Sequence, residues 1–173
     1  MSESTYKTRK AFLIPLILDT LLLFVLVLVS LFTGSFPAET IILVVIFIPL
    51  FYVFIESLIR KTSVGEKGIE IKKLFRGKKL EWKDITNVDA MIIRKKVYLL
   101  LTTTKGFYVL TNTYEKFTTL VKDIVNRVDD KKVEIMVRDM ADKPVMRVAD
   151  ILVAWIAVVI LAAVILMKFI LEF

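Results

Sequence analysis

Three long apolar runs constrain this chain more than any other feature of its sequence. They cover residues 11–33, 40–59 and 151–171. At a rise of about 1.5 Å per residue, about 20 residues cross the hydrocarbon core of a bilayer, so each run predicts a transmembrane helix. The first run is longer than the roughly 7–15 apolar residues of a signal-peptide core, and a second run follows closely. We therefore predict a retained helical hairpin rather than a cleaved signal.

The residue types that are missing limit the chemistry of the chain. It is 57% hydrophobic and contains no Cys and no His, which removes thiol catalysis, disulfides, zinc sites built on those ligands and the usual general base. The sequence also lacks a glycine-rich phosphate loop, metal-ligand spacing and a serine beside a base. We predict that the protein is not an enzyme, with no catalytic residue, cofactor or bound metal.

The distribution of Lys and Arg predicts the orientation in the membrane. The amino-terminal segment 1–10 carries three, the segment 60–149 carries 21, the first connecting loop carries none and the carboxyl end carries one. Basic residues stay on the cytoplasmic side. We predict a multi-pass protein of the cell inner membrane with its amino-terminal tail (1–10) and central domain (60–143) in the cytoplasm. The loop 34–39 and the carboxyl end 172–173 are then external.

The central segment shows a change of period that is typical of a hairpin followed by a helix. Two strand-like runs, Val97–Thr104 and Phe107–Thr113, are separated by the turn pair Lys105-Gly106. The period then changes from 2 to 3.6, and Asn112 with Glu115 fits a capping box. An amphipathic helix is expected next, with one apolar stripe formed by Phe117, Leu120, Val121, Ile124 and Val128.

Further strands are predicted before and after this hairpin. Gly68–Lys72 alternates, Arg76–Lys79 is a turn, and Leu80–Ile85 and Val88–Ile93 are half-buried strands. Val133–Val137 is a candidate for filling an open sheet edge. Residues 144–150 are a helical lead-in to the third span. Asp142 caps that helix and Pro144 lies in its first turn.

Four of these features together resemble a bacterial pleckstrin-homology domain. They are Lys67-Gly68-Ile69, the segment Leu80–Ile85, a Leu-rich strand ending in Lys105-Gly106, and Asn112 with an aromatic residue before an amphipathic helix. Trp82-Lys83-Asp84-Ile85 matches the W-x-D-I pattern of that family. The resemblance covers residues 62–137. It implies a bent antiparallel sheet or barrel capped by its carboxyl-terminal helix, fused to transmembrane helices and serving in binding or scaffolding without catalytic residues.

The predicted fold class is therefore an α+β membrane protein with three transmembrane helices and one such domain. Lipid-binding members of the family hold phosphates with basic residues around a strand-connecting loop, although the later Arg and Tyr partners of that pocket have no counterpart here. A solvated hairpin tip is the favoured interpretation of such basic turns, ahead of nonspecific attraction to the membrane surface and of specific headgroup binding. The candidate contacts with anionic headgroups are Lys72, Lys73, Arg76, Lys78, Lys79, Arg94, Lys95 and Lys96.

Acidic residues in or near the predicted spans are candidates for polar contacts within the membrane. Asp19 lies well inside the first span, where an ionised carboxylate is costly unless it is paired or hydrated. We predict that Asp19 faces protein and forms helix-to-helix contacts. Glu56 is within reach of Arg60 by its spacing, and Asp150 marks the start of the third span.

These observations predict a non-enzymatic membrane-anchored scaffold or accessory subunit whose domain binds protein at the inner membrane. Its expected partners are membrane lipids and either an integral membrane protein or further copies of itself. One alternative is a regulatory module that senses anionic lipids through its basic turns. A small transporter or channel subunit is the second alternative, although it needs more polar surface in the spans. Nucleic acid is not expected, because no stacking platform is present.

Overall fold

The computed structural model describes residues 3–33, 37–93, 96–142 and 148–172. The chain divides into two compact units. The helix unit contains residues 10–58 and 148–173, and the strand unit contains residues 1–9 and 59–147. The chain therefore leaves the strand unit after residue 9, returns at residue 59 and leaves it again after residue 147.

The helix unit consists of α1 (Lys10–Phe32), α2 (Pro37–Ile59) and α5 (Val148–Glu172). All three are long and apolar enough to cross a membrane. They confirm the three predicted helical runs, and each begins slightly earlier than the sequence pattern indicated. The first turn of α5 includes the end of the predicted lead-in, but residues 143–147 lie outside the described part of the chain.

Helix α1 packs inside this unit along one stripe. Its buried side chains recur every three or four residues from Pro15 to Ser30 and include Asp19 and Thr20, as expected for a helix with one packed face. Helix α5 packs against α1. On α5, Ala154, Ala157 and Ala162 are partly buried, whereas Leu152, Val153 and Val164 are exposed.

Two polar contacts join one end of the three helices. The Ser30 and Thr40 hydroxyl oxygens are 2.8 Å apart, and the Lys168 Nζ lies 2.5 Å from the Glu39 Oε1. The carboxyl ends of α1 and α5 therefore lie beside the amino end of α2. That is the arrangement required when α1 and α5 run in one direction and α2 returns.

The first sheet of the strand unit is antiparallel and has the order β1-β2-β3-β4. Its strands are β1 (Ser4–Lys7), β2 (Lys61–Val64), β3 (Gly68–Lys72) and β4 (Gly77–Glu81). Strand β3 matches the predicted strand residue for residue. Strand β4 occupies part of the predicted turn Arg76–Lys79, because the chain reverses earlier, where the Lys73 amide donates to the Arg76 carbonyl (2.8 Å).

Strand β1 is a finding that the sequence pattern did not indicate. It belongs to the segment treated above as a polar tail, and it pairs with β2, with Lys7 opposite Lys61. These two neighbouring strands are connected through α1 and α2. The helical hairpin is thus an insertion between two adjacent strands of one sheet.

The second sheet has the order β5-β6-β7, formed by β5 (Ile85–Ile93), β6 (Lys96–Thr103) and β7 (Gly106–Thr111). It confirms the predicted hairpin. The turn residues are Thr104 and Lys105, one position earlier than expected, and Gly106 has φ +130°, a conformation that side-chain-bearing residues rarely adopt.

Helix α3 (Phe117–Val125) closes the strand unit as predicted, with Leu120, Val121 and Ile124 fully buried in the core. The predicted capping box is wrong. The Asn112 Oδ1 instead accepts from the Val97 amide (3.3 Å), and the helix starts after Lys116, whose φ is +53°. The asparagine side chain is therefore used between strands and is not available to a helix end.

Two predicted strands take other forms. Residues Trp82–Asp84 form one 3₁₀ turn between β4 and β5, so Leu80–Ile85 is not a continuous strand. The predicted edge strand Val133–Val137 is mostly helix, because α4 (Ile135–Asp142) begins within it. Only Val133 forms a parallel bridge, with Val88.

Candidate functional site

A basic cavity lies between the β3–β4 hairpin and strand β7. Its volume is about 310 Å³. The hairpin contributes Ile71 and three exposed cations, and β7 contributes an apolar and aromatic wall. Together the residues lining this basic cavity are Ile71, Lys73, Arg76, Lys78, Phe107, Tyr108 and Val109.

The three cations of the basic cavity have no acidic partner among the described residues. Neighbouring Lys72 differs, because its Nζ lies 3.1 Å from the Glu70 Oε1. This hydrogen bond, with the charges of Lys72, Lys79 and Lys61, lowers the pKa of the Glu70 carboxyl. The positive charge of Lys72 is therefore partly compensated, whereas that of Lys73, Arg76 and Lys78 faces solvent.

The structure thus divides the basic residues predicted from the sequence. Lys73, Arg76 and Lys78 are brought together at the basic cavity. Lys79 follows Lys78 on the same strand and so points to the opposite sheet face. It lines a different, larger cavity. Lys96 opens β6, and Arg94 and Lys95 lie outside the described residues.

Sequence reasoning missed two basic residues, Lys7 and Lys61, which lie at the same end of the first sheet as Lys72. In the first sheet, Lys7 lies opposite Lys61, and Lys61 lies opposite Lys72. Like charges directly opposite one another on neighbouring strands are destabilising. Because the register of β1 and β2 creates this lysine row, no local sequence pattern could have revealed it.

Two exposed phenylalanines accompany the basic cavity. The Phe75 side chain, in the turn between Lys73 and Arg76, is 81% exposed, and Phe107 on the cavity wall is 70% exposed. Most large apolar side chains in this part of the fold are buried. The sequence signal was present as Phe75-Arg76-Gly77-Lys78, an aromatic residue inside a basic turn.

The motif residues behind the family resemblance have structural roles. A Cβ atom on Gly68 would lie 1.9 Å from the Leu80 carbonyl oxygen, so only glycine fits. The Gly65 carbonyl accepts from the Trp82 Nε1 (3.1 Å) and from an Arg127 guanidinium nitrogen (2.7 Å). One carbonyl therefore ties the β2–β3 turn, the 3₁₀ turn and the end of α3 together.

A second surface feature is an apolar patch at the outer edge of the second sheet. Met91, Ile92 and Ile93 at the end of β5 are each about half exposed, and Ile135 at the start of α4 is 78% exposed. Earlier along β5, the Glu134 amide donates to the Val88 carbonyl (3.0 Å). This contact covers the edge near Val88, so the apolar patch begins where that cover ends.

The two acids predicted to make contacts within the spans have different surroundings. Asp19 is buried inside the helix unit, and its Oδ1 has no hydrogen-bond partner among the described residues. Glu56 is only partly buried near the end of α2. The neighbouring Thr20 hydroxyl donates to the Leu16 carbonyl (2.7 Å) within the same helix.

In the described part of the chain, no group of three or more acidic, His or Cys residues is placed so that it could hold a metal ion. The basic cavity offers a ligand ionic contacts and apolar contacts. Its cations attract anions, and its aromatic wall offers apolar contact.

Comparison with known proteins gives a family but no function. The sequence matches the family described as "Family of unknown function (DUF6585)" over residues 2–142. The chain belongs to this family. The DUF6585 match includes β1, the helical hairpin and both sheets, so the inserted hairpin lies within the family region. No curated protein matches the chain, and no solved structure matches it.

Proposed function

We propose that this protein is a multi-pass membrane protein whose strand unit is a pleckstrin-homology-like scaffold. Two antiparallel sheets followed by helix α3 are compatible with the helix-capped antiparallel sheet that the resemblance implied. The inserted hairpin is the observation that carries the proposal. Since β1 immediately precedes α1 and β2 immediately follows α2, the binding module is attached to the bilayer at two adjacent strands and again before α5.

The exposed surface of the helix unit supports membrane insertion. Among the described residues of α2, none has a buried side chain, although 15 of its 23 residues are Ile, Leu, Val or Phe. Such surface is stable against lipid chains and unfavourable in water. The asymmetry of Lys and Arg supports the part of our proposal that puts the strand unit on the cytoplasmic side.

The apolar patch at the end of β5 supports the scaffolding role. An exposed apolar surface of this kind on a soluble domain is typical of protein-binding sites. In our proposal a partner protein near the bilayer covers Ile92 and Ile135. The partner is either an integral membrane protein or a second copy of the chain.

Site-specific photo-crosslinking in living cells tests this role. A photoreactive amino acid at Ile92 is expected to give a discrete adduct with one partner. The matched control is Thr104, which is exposed and follows Thr103 at the other end of the β5–β6 pair from Ile92. Equal adduct patterns at both positions, or no adduct at Ile92, would contradict scaffolding through the apolar patch.

A second candidate function is the sensing of anionic lipids, which the basic cavity favours. Basic residues held close to an anionic surface contribute about 1 kcal/mol each. The transporter alternative gains less support, because the polar side chains buried in the described part of α1 are Asp19, Thr20 and Ser30. The two hydroxyls are already hydrogen-bonded.

A further inference from the structure

Helix α2 packs against its own unit with one face and leaves the opposite face exposed. On the packed face, the Thr40 hydroxyl oxygen lies 2.8 Å from that of Ser30, and the Phe47 ring centroid lies 5.8 Å from that of Phe24. At 3.6 residues per turn, another set of residues lies on the opposite side of the helix. This set forms the exposed face of α2 and consists of Ile41, Val45, Ile48, Pro49 and Tyr52.

Two polar groups on the exposed face of α2 lack a hydrogen-bond partner. Pro49 has no N–H, so the Val45 carbonyl, four residues earlier, lacks its helical hydrogen bond. The Tyr52 side chain is 48% exposed, and its hydroxyl has no hydrogen-bond partner among the described residues. Pro15 in α1 differs, because it is buried on the packed stripe of that helix. Helix α2 therefore presents one unpaired acceptor and one unpaired donor on the same outward face.

Both groups lie at a depth where lipid chains offer no hydrogen bonds. Tyr52 is seven residues before the end of α2 at Ile59, and Val45 is eight residues after its start at Pro37. Each is therefore about 10 Å inside the helix. Helical side chains lean towards the amino end, which carries the Tyr52 hydroxyl away from the nearer headgroup region. Because an unpaired donor and acceptor are costly in hydrocarbon, this face requires protein rather than lipid against it.

The donor and the acceptor complement each other across a symmetric pair of helices. A two-fold axis along the membrane normal keeps two copies in the same orientation and places their α2 helices in parallel. Helix carbonyls point towards the carboxyl end, and side chains lean towards the amino end. The Tyr52 hydroxyl of one copy and the Val45 carbonyl of the other therefore approach the same depth. A second copy satisfies both groups twice, once in each direction.

We propose that the exposed face of α2 packs against the same face of a second copy of this chain. The Tyr52 hydroxyl of each copy donates to the Val45 carbonyl of the other, and Ile41 and Ile48 supply apolar contacts beside these bonds. The inference goes beyond the function proposed above. It rests on the proposed membrane insertion and is independent of the apolar patch and of the basic cavity.

Disulfide crosslinking of the full-length protein in native membranes tests this interface. Because the chain has no Cys, Ile48→Cys oxidised with copper phenanthroline should give a covalent dimer of two copies. The matched control is Val159→Cys in α5, since the two side chains are 61% and 65% exposed. Each position is nine residues from one member of the Glu39–Lys168 pair, so both lie at the same depth. The control should stay monomeric. Absence of an Ile48→Cys dimer, or equal dimer at both positions, would overturn the proposal.

Dissociation constants of the dimer in lipid vesicles, measured by energy transfer between labelled copies, test the hydrogen bonds. Tyr52→Phe should weaken dimerisation about tenfold, because it removes two symmetry-related bonds. Tyr98→Phe, which removes a hydroxyl from the strand unit, is the matched control and should stay within about twofold of the unchanged protein. An unchanged dissociation constant for Tyr52→Phe would contradict the proposed bond.

A substitution at the acceptor side identifies the same bond. Pro49→Ala gives the Val45 carbonyl a donor within its own helix, so it should also weaken dimerisation. The variant with both Pro49→Ala and Tyr52→Phe should dimerise about as well as each single variant, because all three lack the same bonds. Losses that add in the double variant would show that the Tyr52 hydroxyl and the Val45 carbonyl do not bind each other.

Failure of this interface differs from failure of the proposed membrane insertion. Washing the membranes with alkaline carbonate separates the two outcomes. If the chain is retained after the wash but Ile48→Cys stays monomeric, only the α2 interface is wrong. If the wash releases the chain, membrane insertion itself fails. A covalent adduct of Ile48→Cys with a different protein would overturn the second copy as the partner.

Discussion

The two units bury the same types of residue in opposite ways. In the strand unit, Leu99 is completely buried, whereas Leu21 in α1 is 55% exposed. The strand unit follows the rule for water, with apolar side chains inside. The helix unit covers its outer surface with those side chains, which is favourable where the solvent is lipid. The contrast supports our proposal that the helix unit lies in lipid and the strand unit in water.

The largest effect is expected from Gly68→Ala, which tests how tightly the strand unit is packed. Its new Cβ would lie 1.9 Å from the Leu80 carbonyl oxygen, and backbone atoms cannot move aside cheaply. We expect a loss of about 4 kcal/mol or more in the free energy of unfolding. Urea titration monitored by Trp82 fluorescence, in a Trp155→Phe background, measures it.

Gly77→Ala is the matched control, because a Cβ at Gly77 meets no atom within 4 Å. It should change the free energy of unfolding by less than about 0.5 kcal/mol. Equal effects of the two alanines would show that β3 and β4 do not approach as closely as described.

A pair of leucine substitutions, one in each unit, tests the contrast between the two units directly. Leu99→Ala should cost about 3 kcal/mol, because it leaves a cavity in the core of the strand unit. Leu21→Ala should cost much less in a bilayer, since lipid chains fill the space that the side chain leaves. Urea titration of each variant in lipid nanodiscs measures both. A large cost for Leu21→Ala would mean that this face is packed against protein.

A smaller effect is expected from Tyr6→Phe, which tests how β1 is held in the strand unit. The buried Tyr6 hydroxyl donates to the Asp123 Oδ2 (2.5 Å). Because the acceptor is a carboxylate, its loss should cost about 1.5 kcal/mol at neutral pH. Urea titration of both proteins at pH 7 measures the difference.

The pH dependence of the difference in the free energy of unfolding between the unchanged protein and Tyr6→Phe provides a second test. Burial, and then the bond to Asp123, raises the pKa of Tyr6 above its ordinary value of 10.0. A raised folded-state pKa gives stability that is present below about pH 10 and decreases as the pH rises further. The difference between the unchanged protein and Tyr6→Phe should therefore shrink above pH 10. A difference that stays constant there would contradict the buried hydrogen bond.

The sequence predicted the elements whose signals are local. Apolar length predicted the three helices, alternation predicted β3, and the change of period predicted the β6–β7 hairpin and α3. Strand β1 was missed because Ser4–Lys7 is short and polar, and its partner Lys61–Val64 lies far along the chain. Pairing at that distance leaves no local pattern.

The candidate site was predicted only in part, for the same reason. The basic turn was visible in the sequence and supplied Lys73, Arg76 and Lys78. Its aromatic wall, Phe107 and Tyr108, belongs to β7, and only the fold of the two sheets brings it to the hairpin. Alternation along β4 places Lys79 on the other sheet face from Lys78, whereas the sequence pattern had assigned both residues to the turn.

Labelling of single cysteines tests the central claim, because the chain has none of its own. Ala38→Cys in the first turn of α2 and Thr104→Cys in the β6–β7 turn are both at exposed positions. A thiol reagent that does not cross membranes is added to intact cells and to opened membranes. We predict that Cys at position 38 is labelled in intact cells and that Cys at position 104 is labelled only after opening. Equal labelling of the two positions in intact cells would contradict a strand unit held on one side of a membrane by three spanning helices.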